Sequence, residues 1–170
     1  MRRGTRVLLS LVVATAGAGG LWSNAAGAGT APKAVNCGGK TKKKAVKQIK
    51  KTYDIFLNGT AGRTIDERKL VVQGAEDPVL LQLFNDIFAA NAEIAAITST
   101  RVEKVTCAGK KAADVTFFLV NTETGDPLLP DAQAGGALIE DKIWKVTKLT
   151  VCDLVSLANP AVLESGPCAS

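Results

Sequence analysis

A chain of 170 residues, 46% hydrophobic and with a net charge of +5, holds enough material for one domain and too little for two comfortable ones. It contains no histidine, which removes the commonest general base, the Ser-His and Cys-His nucleophile pairs and imidazole metal ligands.

The first segment, MRRGTRVLLSLVVATAGAGGLWSNAAGAG, has the layout of a secretory leader. Arg2, Arg3 and Arg6 precede an apolar stretch, and Ala26-Gly27-Ala28 gives an A-x-A cleavage arrangement. A signal peptide over 1–28 is therefore expected, with the protein secreted to the envelope or beyond it. Loss of those arginines lowers the net charge from +5 to +2. What survives is asymmetry: residues 29–57 carry eight lysines against Asp54, and the rest of the chain is net acidic. A nucleic-acid binder would spread its basic residues over a folded face with aromatics interleaved. Nucleic acid is thus not an expected partner.

Residues 29–40, GTAPKAVNCGGK, read as a flexible linker. From Thr41 the apolar residues Ala45, Val46, Ile49, Tyr53, Phe56 and Leu57 share one arc of a helix, with Lys43, Lys44, Lys47, Lys50 and Lys51 opposite. Thr41 is the expected N-cap and Asn58-Gly59 the stop. The lysines are chiefly a solvated face, and they are also the candidate anion-binding face, for an anionic wall polymer or phospholipid. Those in the first turn meet the positive end of the helix dipole, so local helix stability does not explain them.

Thr64-Ile65-Asp66-Glu67 predicts a capping box opening a short helix that stops near Gly74. Asp77-Pro78 opens a third helix, whose stripe of Val79, Leu80, Leu83, Phe84, Ile87, Phe88 and Ala92 is wide enough to predict extensive burial. From about Ala96 the period becomes two. TSTRVEKVTC and AADVTFFLVN read as strands joined by Ala108–Lys111, and AGGALIE and KIWKVTKLTVC as two more around Glu140-Asp141-Lys142. One short helical turn at most precedes Pro160, and 156–170 read as a tail. Helices followed by an antiparallel meander predict an α+β domain over 41–155, with the helices covering one face of a curved sheet.

Cys37, Cys107, Cys152 and Cys168 lie beyond the leader, and an even count in an exported chain predicts two disulfides. The spacings show no paired-ligand pattern for a metal. In an up-down meander Cys107 and Cys152 fall at opposite edges, which disfavours joining them. Two pairings stay open, Cys37–Cys107 with Cys152–Cys168, or Cys37–Cys152 with Cys107–Cys168. The first is preferred, because Cys152 and Cys168 then close a short loop.

No catalytic signature, cofactor motif or metal motif is present, so no cofactor is expected. Tyr53, Phe84, Phe88 and Trp144 are the candidates for lining a ligand pocket. An isomerase- or cyclase-like reaction would need a carboxylate such as Asp86 or Asp114 facing inward beside Tyr53. The neighbouring Asp54 points away from Tyr53 and is expected to offset Lys50 and Lys51.

The order of VKQIKKTYDIFLNG, a capped short helix, VEKVTCAGKKAADVTFFL and KIWKVTKLTVCDLVSL resembles small secreted proteins of actinobacteria. In particular it is similar to the C-terminal domain of the mycobacterial low-molecular-weight secreted antigen family, over residues 42–155. The most specific element is Trp144-Lys145-Val146-Thr147 followed by Cys152-Asp153-Leu154. The resemblance implies a cystatin-like or nuclear-transport-factor-like cone, secretion, and no catalytic residues that carry over. The expected role is non-catalytic, at or outside the cell envelope, binding a small apolar molecule, a lipid, or an envelope protein or polymer.

Overall fold

The computed structural model describes residues 32–164 and 166–169; the leader expected over 1–28 lies outside them. In chain order the elements are α1 (Lys42–Leu57), α2 (Ile65–Lys69), α3 (Pro78–Ala90), α4 (Ala92–Ala96), β1 (Thr98–Cys107), β2 (Ala112–Asn121), β3 (Gln133–Glu140), β4 (Ile143–Val146) and α5 (Lys148–Ala158). A 3₁₀ turn precedes α1, and two follow α5. The strands form one antiparallel sheet in the order β1-β2-β3-β4, curled into a half-barrel with α1 across its concave face. This is the expected α+β architecture.

The sheet curls where its ladder is interrupted and where its hairpins turn tightly. One extra residue, Glu103, shifts the β1–β2 register between Val102 and Lys104, and such a bulge bends and twists its strand. The β3–β4 hairpin turns on Asp141 and Lys142, both left-handed at φ 50° and 65°, a two-residue geometry whose twist matches the flanking strands. Inward side chains Ala113, Val115 and Phe117 of β2, Ala137 of β3 and Trp144 and Val146 of β4 meet Ala45, Ile49, Tyr53 and Phe56 of α1 in the core. Tyr53, Phe56, Phe117 and Ile49 are wholly enclosed. Each such side chain contributes about 1.5–3 kcal/mol by leaving water.

Gly135 is set by packing. A Cβ there would stand 2.6 Å from Tyr53 Oη and 2.9 Å from Thr150 Cγ2, so only a glycine lets α1 and α5 approach β3 together. Arg68 is buried too. Its guanidinium donates to the carbonyls of Phe56 and Asn58, closing the C-terminal end of α1, and lies 5.0 Å from the Phe88 ring centre.

Several local expectations need correction. The last strand does not reach Cys152: it ends at Val146, and α5 follows. Thr147 is the reason, since its hydroxyl accepts from the Thr150 amide and caps a helix. That also explains the mixed facing of the segment. Trp144 and Val146 point inward from a strand, Val151 inward from a helix, and Leu149 outward at 69% exposure. The single helical turn expected before Pro160 is instead an 11-residue helix. The third helix stops at Asn91, whose side chain donates to the Ile87 carbonyl, and a separate short helix follows. Nor is that third helix largely buried: only Leu80 and Phe84 are, while Val79 is 58% exposed.

Thr41 does not cap α1 with its side chain. Its hydroxyl donates backwards, to the Asn36 and Gly38 carbonyls. Residues 33–37, read from composition as flexible linker, run as a strap along the domain. The Ala34 amide donates to Lys142 O, Val35 to Gln48 Oε1, Cys37 to Lys110 O, and Trp144 Nε1 donates to Val35 O. Small and polar residues suggested slackness because composition does not reveal where backbone groups find partners.

Candidate functional site

The four candidate pocket residues do not line a common cavity. Tyr53 packs its ring against Phe117 at 5.1 Å between centroids. Phe84 stacks on Phe56 and meets Phe88 at 4.5 Å, and Trp144 is buried beneath the strap. Two small, partly open clefts among the described residues, one beside Leu80 and Phe84 and one beside Thr52 and Trp144, measure about 10 Å³ each, room for roughly one water.

Among the described residues, Tyr53 is the buried candidate named for proton transfer. Its hydroxyl donates to the Gly136 carbonyl at 3.0 Å. Burial pushes the phenol well above its ordinary range, and a hydrogen bond with Thr150 offsets part of that rise. No carboxylate joins it there. Asp86 is exposed and accepts from Gln82, and Asp114 is exposed on the sheet face opposite Ala113. A phenol held protonated against a backbone carbonyl fixes α1 to β3 and is poorly placed for proton transfer.

Asp54 does not offset Lys50 and Lys51. It accepts from Asn58 Nδ2 at 2.8 Å and from Arg63 at 3.5 Å. Lys43, Lys44, Lys47, Lys50 and Lys51 are all exposed, and none takes part in the salt bridges found among the described residues. Carboxylates of Glu76, Glu140 and Asp141 converge within 4.8 Å of one another. The Lys145 ammonium already sits there, 2.8 Å from both Glu140 and Asp141. Burial pulls its pKa down, but the bonds to those two carboxylates and their charges outweigh it and hold the lysine above its ordinary value. Lys145 thus offsets part of this group's negative charge from within.

Two further features stand out: the first was not legible beforehand, and the second realises the cysteine pairing preferred from the sequence. One is an open groove of about 530 Å³ beside the first turn of α5, floored by Ala113, Gly135 and Gly136 and edged by Asp114, Leu149 and Asp153. The other is how the strap ends. Cys37 is bonded to Cys107 with Cα atoms 5.6 Å apart, and Cys152 to Cys168 at 5.4 Å. The first bond sets the lysine-rich start of α1 beside the β1–β2 hairpin, which carries the exposed Lys110 and Lys111. Only the fold brings these two basic segments together.

Compared with known proteins, residues 42–162 match the family described as low molecular weight antigen MTB12, C-terminal domain. No curated protein and no solved structure matches the chain. No helix among the described residues is long and apolar enough to cross a membrane.

Proposed function

The chain belongs to the low molecular weight antigen MTB12 family through that antigen's C-terminal domain, and from that premise we propose a secreted, non-catalytic protein of the cell envelope that works through its outer surface. It attaches to an anionic partner by the lysine face of α1. The observation that carries this reading is the α1 helix itself: its inner face fills the cone with Ile49, Tyr53 and Phe56, while its outer lysines stand in water without acidic partners. A carrier of small apolar ligands needs a cleft or cavity of some hundreds of Å³; the small clefts beside the core are about 10 Å³ each, and among the described residues only the open groove beside α5 reaches that size.

Co-sedimentation of the purified protein with isolated cell-wall material tests the reading. Binding should be strong at low salt and fall steeply as ionic strength rises, because exposed charges are screened beyond about 8–10 Å in physiological salt. Binding that ignores salt, or a small molecule carried through native mass spectrometry, would overturn it. A protein partner is the second reading, favoured by the open groove with the exposed Leu149 at its edge. A protein retained at high salt and lost on substituting Leu149→Asp would support that reading instead.

A further inference from the structure

Resting on the surface reading above, this inference gives the partner its chemistry. We propose that Lys40, Lys42, Lys43 and Lys44 at the start of α1 and Lys110 and Lys111 of the β1–β2 hairpin form one bipartite site for a linear phosphate-bearing polymer, clamped by the Cys37–Cys107 disulfide.

The two halves lie 70 residues apart at the bridging cysteines, yet the fold joins them twice. Cys37 is bonded to Cys107, and its amide donates to the Lys110 carbonyl at 2.8 Å. From Cys37 the chain enters the 3₁₀ turn Gly39–Thr41 and then α1. Lys42 is therefore no more than about 13 Å along the chain from the bridge. Lysine side chains extend several ångströms further, so the ammonium groups of both halves can lie within roughly one Debye length of each other and act on a ligand together.

All six lysines are exposed. Two of the carboxylates nearby are engaged, and two more, Asp114 and Asp153, edge the open groove at the base of the hairpin. Asp114 lies on the sheet face opposite the inward Ala113, which is paired with Cys107. Glu140 and Asp141 on the neighbouring hairpin hold Lys145.

The composition of the patch selects the partner. It contains lysine and no arginine, so it offers mobile point charges that bind phosphate oxygens without the planar fork arginine presents to carboxylate and phosphate alike. A bilayer would need apolar side chains among the cations. The exposed large apolar residues Leu70, Val79, Ile94, Leu149, Leu157 and Leu163 all lie outside both halves. Neither half carries an aromatic residue on which a base could stack.

Inorganic polyphosphate is the probe, with the disulfide-bonded protein from its own culture supernatant. Lys43→Glu, Lys110→Glu and Lys69→Glu each change the net charge equally, and Lys69 on α2 serves as the control. Expected are losses of about fivefold or more for Lys43→Glu and Lys110→Glu, with shallower salt dependence, and less than about twofold for Lys69→Glu. Replacing Cys37 and Cys107 together by serine should weaken polyphosphate binding about tenfold while the far-ultraviolet circular dichroism stays native. Should that variant fail to fold, the charge substitutions still decide. Loss at Lys43→Glu with none at Lys110→Glu would overturn the bipartite site and leave attachment through α1 standing. Equal losses for all three variants, or equal affinity for polyglutamate or for phosphatidylglycerol vesicles, would overturn the choice of a phosphate polymer.

Discussion

The helices α1 and α3 invert what their compositions suggest. α1 is crowded with lysine yet buries Ala45, Ile49, Thr52, Tyr53, Phe56 and Leu57; α3 is almost continuously apolar and buries only Leu80 and Phe84. The difference lies in what each helix faces. α1 lies across a curled sheet that closes around one stripe, so few apolar residues suffice and most are buried, Val46 and Ile55 only in part. α3 packs at the rim against α5 and the C-terminal turns, and much of its apolar surface has nothing opposite it. Burial belongs to a pair of surfaces, and hydrophobicity describes only one member.

Substitutions can break that comparison or sharpen it. Phe56→Ala should lower stability by about 3–5 kcal/mol in urea unfolding, because it empties a fully enclosed site. The half-buried Phe88→Ala on α3 should cost less than half as much, and equal costs would refute the contrast. Gly135→Ala should destabilise by about 1–3 kcal/mol through overpacking, and adding Tyr53→Phe should recover part of that loss, since the two groups meet.

Alkaline titration isolates α1 further, because Tyr53 is the chain's single tyrosine. Its folded pKa is raised, so the unfolded chain releases the proton near pH 10 while the folded chain keeps it. The stabilising contribution is complete below that pH and is lost as pH climbs above it. Tyrosinate absorbance should therefore appear only with unfolding, and its growth in the folded protein near pH 10 would contradict the buried hydroxyl. The smallest effect belongs to α3: Val79→Lys should change stability by no more than about 0.5 kcal/mol.

Much of this fold could be read from the sequence, for reasons that vary by segment. The strands β1 and β2 keep a period near two apart from the Glu103 bulge and the apolar run Phe117–Val120, and the Thr64–Glu67 box and Asp77-Pro78 name their own helix starts. The stretch 147–158 misled because Thr147, Thr150 and Val151 favour strands, while its helical signal was the spacing of Val151 and Val155 one turn apart. The candidate site was half legible. Lys43 to Lys51 stood out as a helix face, but Lys110 and Lys111 looked like ordinary hairpin residues until Cys37–Cys107 set them beside it. The preferred cysteine pairing already joined the strap to that hairpin, but it did not show the two sets of lysines as one patch.

The strap has a consequence in time. It sits at the start of the domain, yet Cys107, Lys110, Lys142 and Trp144, which hold it, come some 70 to 110 residues later. A chain made from its N-terminus must leave this segment waiting until the sheet exists. The first part of the domain to emerge is among the last to be fully fastened, since its bonds to Lys142 and Trp144 wait for the last hairpin.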